Sequence, residues 1–322
     1  MKASTHYTFD LVAMGRACVD EYFLVEEEGH NNAKVPILRR KVCGGGQAAT
    51  SAITVSKLGG RSAYLGNLGK DSFGDLVLQE FIDFGVNVDG VNRPDEFITP
   101  KALILVNSKN GDRTIYYDEL SRRIKYPIPL PIISSTRALI LDPEISPEEL
   151  DQILESKAKD CIIVYDGERA RPSLNAMMDN ADFFIASETL MDIRGTSKRR
   201  DTFQYLKSKV KGELIFTFGE EGSVWVKNHE LVHIPAMPVC DVLDTTGAGD
   251  VFHASFAYYY PQQKDVLKTL KLATYCASKS ISHLGNRERK NLFITKEMEA
   301  LRINEKLLSI EQFNKLIEAR AS

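Results

Sequence analysis

Apolar residues fall into short dense runs along the chain, and those runs are punctuated by glycine and by polar turns. Phe9-Asp10-Leu11-Val12-Ala13-Met14-Gly15 is one such run, ended by glycine, and it predicts a buried strand. Further strands are expected at 62–69, 138–141, 161–165, 183–186 and 214–218. Between them lie stretches with helical spacing: 47–58, 73–84, 173–179, 202–210, 252–260 and 266–282. Ser146-Pro147-Glu148-Glu149 reads as a capping box with proline in the first helical position, and Ser309-Ile310-Glu311-Gln312 opens one more helix near the end. Strands that alternate with helices imply a parallel sheet covered on both faces.

Two strand pairs break that rhythm. Residues 22–25 and 34–42 flank a Gly29-His30-Asn31-Asn32 turn, while 99–106 and 114–117 flank Asn110-Gly111-Asp112. Each pair is too polar on one face for the centre of a covered sheet and fits a small sheet of its own. A further hairpin is expected from 223–226 and 231–234, and Pro127, Pro129 and Pro131 make an extended connector. No repeat, low-complexity run or flexible linker divides the 322 residues. A single α/β domain follows, with segments of about 21–43 and 97–121 inserted in it.

Composition narrows the function classes. The chain is 43% hydrophobic and 26% charged, with a formal net charge of −3, which leaves no electrostatic footprint for nucleic acid or an anionic membrane. No apolar run reaches the ~18 residues that span a bilayer, and the first ten residues lack a secretory pattern. Cys18, Cys43, Cys161, Cys240 and Cys276 are scattered and show no C-x-x-C spacing, so reduced thiols and a cytoplasmic location are expected. The histidines have no metal-ligand spacing.

The chemistry concentrates in Val242-Leu243-Asp244-Thr245-Thr246-Gly247-Ala248-Gly249-Asp250-Val251-Phe252. Glycines at the start of a helix let backbone amides approach a ligand closely, and amides at a helix N-terminus bind anions. The amides of Gly247, Ala248 and Gly249 are expected to stabilise the charge of a phosphoryl group in transfer. Asp250, in the same first turn, is placed to take the proton of an attacking hydroxyl. A plain helix cap uses the same residue types.

A second stretch, Cys43-Gly44-Gly45-Gly46-Gln47-Ala48-Ala49-Thr50, leads into a helix of small residues closed by Leu58-Gly59-Gly60. Together with Asp244-Thr-Thr-Gly-Ala-Gly-Asp250 it resembles the ribokinase-like (PfkB) carbohydrate kinase family, from Gly15 to about Gly285. The resemblance implies a three-layer α/β/α domain with a small β lid, and an ATP-dependent kinase acting on a primary sugar hydroxyl. It implies Asp250 as catalytic base and Asp20 as a ligand of substrate hydroxyls; Gly45, Gly46, Gln47, Thr50 and Arg113 are expected on the sugar side. Thr217-Phe218-Gly219-Glu220-Glu221-Gly222 matches the family's nucleotide turn, and Ser187, Thr245 and Thr274 join the expected nucleotide contacts. A homodimer formed through the lid is expected.

The match departs from the family at several positions. Gln47 stands where ribokinases carry lysine and Thr50 where they carry asparagine, so the ribose-type pattern is absent and a ketose or sugar acid is the expected substrate. Ser187-Glu188-Thr189-Leu190 falls where the family has the Asn-x-x-Glu that organises Mg²⁺, which leaves Glu188 as the substitute carboxylate. Asp244 and Thr246 match positions that hold a monovalent cation, K⁺ being the candidate, in some relatives. Arg113, Arg122 and Arg123 near the second hairpin suit an anionic sugar. Two rivals remain: a nucleoside kinase of the same family, and a nucleotide- or sugar-binding sensor without turnover. A dehydrogenase is poorly supported, because Gly15-Arg16-Ala17-Cys18 is not a Gly-x-Gly-x-x-Gly turn.

Overall fold

The structure, a computed structural model, describes residues 7–118, 124–192, 199–288, 297–298 and 301–318, apart from 28, 30, 31, 170 and 172. Fourteen strands and nine helices carry labels here. The strands are β1 (Leu11–Met14), β2 (Cys18–Val25), β3 (Arg39–Gly45), β4 (Ser62–Asn67), β5 (Val91–Asn92), β6 (Lys101–Asn107) and β7 (Arg113–Tyr117). They continue as β8 (Ala138–Leu141), β9 (Ile162–Gly167), β10 (Phe183–Ser187), β11 (Glu213–Thr217), β12 (Ser223–Lys227), β13 (Glu230–Ile234) and β14 (Lys306–Leu308). The helices are α1 (Gln47–Lys57), α2 (Ser72–Asp83), α3 (Leu130–Ser134), α4 (Pro147–Ser156) and α5 (Leu174–Asn180). Then come α6 (Arg199–Lys209), α7 (Ala248–Gln263), α8 (Val266–Ser280) and α9 (Ile310–Glu318).

The large sheet runs β14-β13-β12-β11-β10-β9-β8-β1-β4-β5 and is parallel from β5 to β11. Alternate residues of its central strands serve two cores, as a period of two requires. Leu11, Ala13, Ile140 and Ile185 face α1, α2, α7 and α8, whereas Val12, Met14, Leu139, Leu141 and Phe184 face α4, α5, α6 and α9. Every residue of β1 is fully buried, which explains why its sequence is a continuous apolar run. The expected three-layer α/β/α architecture is therefore the observed one.

A second sheet, β3-β2-β6-β7, stands apart from the first. Its pairing puts Cys18, Asp20 and Tyr22 on the same face as Ala102, Ile104, Val106, Arg113, Ile115 and Tyr117. Its other face carries Phe23, Leu103, Leu105 and Tyr116.

Several boundaries differ from expectation, for physical reasons. The first strand of the small sheet begins at Cys18, so Asp20 lies inside β2 and not on a turn after a strand. β3 covers Arg39–Gly45 and runs into the glycines, which propensity reads as loop. A Cβ at Gly45 would sit 2.1 Å from Asp20 Oδ2, so any side chain there would displace the Asp20 carboxylate. The short edge strands β5 and β14 carry too few residues for a periodic signal. Helix α7 begins at Ala248, ahead of its apolar pattern.

The expected capping box at α4 forms, and the Ser309–Gln312 start of α9 forms a second. Ser309 N donates to Gln312 Oε1 at 2.8 Å, and Gln312 N donates to Ser309 Oγ at 3.1 Å. At α4 the Ser146 hydroxyl accepts from Glu149 N at 3.3 Å, while Glu149 Oε2 accepts from Ser146 N at 2.7 Å. Glu149 is buried, and its Oε1 also accepts from Tyr126 N at 2.7 Å, which ties the proline connector to the helix. Glu149→Ala is expected to cost about 1–3 kcal/mol by leaving buried amides unpaired. Urea unfolding measures this, and a loss under about 0.5 kcal/mol would contradict the clamp.

Candidate active site

A cleft of about 420 Å³ opens where the parallel strands end. Arg16 follows β1, Asp142 follows β8, Glu168 follows β9, and Ser187 and Thr217 close β10 and β11; all line it. The chain leaves β1 for β4 on one side and returns with β8 on the other, so Arg16 and Asp142 mark the point where strand order reverses. Open α/β sheets bind ligands at that place. The inner face of the small sheet supplies Asp20, Ala102, Ile104, Arg113 and Ile115 to the same cleft.

One wall is built from β2 and the start of α1. Asp20 is buried, and its carboxylate accepts from Tyr22 Oη at 3.1 Å and Cys18 Sγ at 3.3 Å, both two residues away on the same face. Gly46 caps α1 with φ 93°, and a Cβ there would lie 2.6 Å from Arg16 O, so only glycine fits. Gln47 Nε2 donates to Asp166 Oδ2 at 3.1 Å and Glu168 Oε2 at 3.3 Å. Thr50 Oγ1 accepts from the Arg287 guanidinium at 3.4 Å, and Arg287 Nε meets Glu80 Oε2 at 3.1 Å.

The opposite wall is the turn into α7. Gly247 holds φ 71°, and a Cβ on it would be 2.4 Å from Asn286 Nδ2. A Cβ on Gly249 would meet no described protein atom within 4 Å, so the space there is open for a ligand. Ala248 N already donates to Thr245 O at 3.3 Å, which commits one of the three amides expected to hold an anion. Helix geometry still leaves the Gly249 and Asp250 amides without a helical acceptor. Asp244 is buried below the turn; its two oxygens accept from Thr246 N and Gly285 N, each at 2.8 Å. That makes Asp244 a clamp for the loop, and both of its oxygens serve amides ahead of any K⁺.

The other expected residues divide. Ser187, Glu188, Thr217 and Gly219 line the cleft. Gly222 lies behind it, where a Cβ would be 2.1 Å from Ile234 O, and Thr274 is buried on α8 away from the lining. Glu188 faces Arg199 at 3.6 Å, a partner the sequence did not suggest. Arg113 spans to the opposite wall, donating from Nη1 to Thr245 Oγ1 at 2.7 Å. Arg122 and Arg123 lie outside the described residues.

Sequence reasoning missed Asp142, Asp166, Glu168, His253, Asn286 and Arg287, all of which line the cleft. Asp142 and Glu168 follow strand ends, and Asp166 lies near the end of β9, so acids at those ends were the available signal. Asn286 and Arg287 follow α8 with no motif around them, and only the fold brings them in. Burial raises the pKa of Asp20 and Asp142 above the ordinary value. Asp166 is held well above it by burial, then by the charges of Glu168 and Asp142. Asp250 still meets the cleft with part of its surface, yet burial and then the Asp166 charge push its pKa well up too. No group of three or more His, Cys, Asp or Glu among the described residues forms a metal cluster.

The sequence matches the profile of the pfkB family carbohydrate kinases over residues 8–291. It is 26% identical over 296 residues to a deoxyribokinase of Salmonella typhi, covering 86% of this chain and 94% of that one. A ketohexokinase of Mus musculus is 24% identical over 296 residues, covering 85% and 97%. The fold superimposes on a structure of Arabidopsis thaliana ribokinase complexed with ribose and ATP with a TM-score of 0.71, at 22% identity, over 90% of this chain and 99% of that one. The protein belongs to the pfkB family of carbohydrate kinases, phosphotransferases that take an alcohol group as acceptor.

Proposed function

We propose that the cleft transfers the γ-phosphoryl group of ATP to a primary hydroxyl of a sugar, a ketose or a sugar acid. The observation that carries this reading is that one cleft joins the Asp20–Gln47 wall to the Gly247–Asp250 wall. Sugar hydroxyls would donate to Asp20, which can accept two such bonds, and pair with Gln47 and the Gly46 turn. The Thr217–Gly219 turn would take the nucleotide. The amides at the start of α7 would hold the phosphoryl group, and Asp250 would accept the proton of the attacking hydroxyl.

Asp250 suits that task because a carboxylate pushed up by burial and by neighbouring charge takes a proton more readily at neutral pH. Glu188 reaches the cleft wall with a hard oxygen and fits the Mg²⁺ that accompanies ATP, since Mg²⁺ keeps several waters and needs few carboxylates. Bound there, Mg²⁺ would neutralise charge on the phosphate oxygens. Arg16, Arg169, Arg171 and Arg287 line the cleft, each paired with a carboxylate (Glu144, Glu168, Glu144 and Glu80), so an acidic sugar would have to take one of them from its partner. The small sheet would act as the lid of the domain, over segments of about 21–43 and 97–121, and exclude water on closing.

The outer face of that sheet exposes Val42, Leu103 and Tyr116, with exposed Ile37 and Leu38 in the segment leading into β3, and we assign it to a second copy of this chain. Among the described residues no helix is long and apolar enough to cross a membrane. Five free cysteines, four of them buried, support a cytoplasmic location, which cell fractionation checks.

Purified protein with Mg²⁺ is expected to consume ATP with at least one member of a panel of sugars and sugar acids. Asp250→Asn is expected to lower kcat by about 10²-fold or more and to leave binding of a non-hydrolysable ATP analogue within about threefold. Turnover by the variant close to wild type would remove Asp250 from the role of base.

The same substitution also has a predictable effect on stability. Folding raises the Asp250 pKa, so the native state holds this proton more tightly than the unfolded chain. The contribution of the group is fully present below the ordinary carboxylate value and falls as pH rises towards the native value. Asp250→Asn is therefore expected to melt higher than wild type, by a margin that widens from about pH 5 to about pH 7. A margin that shrinks over that range would contradict the assignment of burial as the cause.

For the assembly, sedimentation velocity is expected to show a dimer that Leu103→Lys converts to monomer. A monomeric wild type at about micromolar concentration would reject the second copy.

A further inference from the structure

His253 lies one turn beyond Asp250 on α7 and is buried, yet it reaches the cleft wall. Its Nδ1 is 2.6 Å from the carbonyl oxygen of Gly249, four residues back. A carbonyl only accepts, so Nδ1 carries the hydrogen and donates it. Burial lowers the imidazole pKa and keeps the ring neutral, which leaves Nε2 bare and in need of a donor. Ile185 O at 3.4 Å cannot supply one. Asp166 Oδ1, at 3.5 Å, is the neighbour that can carry one, since burial and then the Glu168 charge hold its pKa well above the ordinary value. The other oxygen of Asp166 accepts from Gln47 Nε2 at 3.1 Å.

A row of polar contacts therefore runs from Gln47 through Asp166 and His253 to the Gly249 carbonyl, with hydrogen bonds at its two ends and a 3.5 Å approach between Asp166 and His253. It joins the two walls of the cleft beneath the reacting atoms. Gly249 is the second residue of α7; it has no side chain to hold its peptide, and nothing packs where one would be. The Gly249 carbonyl and the Asp250 amide belong to one rigid peptide plane, so a bond that fixes the first also aims the second.

We propose that His253 is a positioning residue for phosphoryl transfer, holding the Gly249–Asp250 peptide in place while Asp166 fixes the imidazole from behind. This rests on the kinase reading above, and wild-type turnover measured in the same assay separates failure of that reading from failure of this one. His253 touches neither substrate in this scheme, so its effect should appear in kcat and not in KM.

Two substitutions divide its contacts. The side-chain amide of Asn reproduces the position of Nδ1, and that of Gln reproduces Nε2. His253→Ala and His253→Gln are expected to lower kcat about tenfold or more, the scale of one lost buried hydrogen bond, with KM for ATP and sugar within about threefold. His253→Asn should recover kcat to within about threefold of wild type. Asp166→Ala should lower kcat in the wild-type background and have little further effect on kcat in His253→Asn, because the shorter side chain no longer reaches Asp166. Equal kcat for the Asn and Gln variants would overturn the proposal. So would additive losses for Asp166→Ala and His253→Asn, which would mean that Asp166 acts on the substrate directly. A folded His253→Ala variant with unchanged kcat and a lower melting temperature would leave only a packing role and also overturn it.

Discussion

Carboxylates withdrawn from water and gathered around one cleft are the constraint to which the rest of this structure answers. Asp20, Asp142, Asp166 and Asp250 each have a raised pKa, with burial as the first cause. Desolvating several like charges at one place is costly unless partners offset it. The surroundings supply those partners. Backbone amides of Arg16 and Glu144 reach Asp142, Tyr22 and Cys18 reach Asp20, and Gln47 reaches Asp166. Arg287 adds positive charge near Asp20 from a chain segment far away in sequence. The site thus holds proton acceptors that phosphoryl transfer needs, at a cost spread over many elements.

The large sheet explains how these groups meet. Parallel strands end on one side, and each strand end that carries an acid or a hydroxyl delivers it to the same opening. The small sheet adds its residues by a different rule, the period of two that turns Asp20 and Arg113 to one face. Glycines mark the places where the two systems touch. A Cβ at Gly111, between β6 and β7, would lie 2.9 Å from Val242, and one at Gly285, after α8, would lie 3.2 Å from Cys43 Sγ on β3.

Much of this was legible in the sequence. Buried strands of the large sheet announce themselves because both faces are covered, so 138–141 and 183–186 read as unbroken apolar runs and 214–218 is broken only by Thr217. The capping boxes were legible because they are local chemistry between residues three apart. The loop 244–250 was legible for the same reason. What was hidden depends on distance along the chain. Nothing around Arg287 signals that it will meet Glu80 and Thr50, and the partner of Glu188 lies eleven residues further along the chain. β2 was read too short because an aspartate in the second polar-looking position concealed its alternation. That aspartate faces a cleft and not solvent, and only the fold reveals the difference.

The contact between Arg113 and Thr245 has a consequence for how this chain can change over evolutionary time. Thr245 also donates to the carbonyl of Gly111, so the tip of the β6–β7 hairpin rests directly on the loop that enters α7. Hairpin tips on a protein surface ordinarily tolerate inserted or deleted residues. This one does not have that freedom, since a change in its length would move the seat of a segment 132 residues later. Substitutions at Gly111, Arg113 and Thr245 are thereby linked, and drift at one position has to be matched at the others.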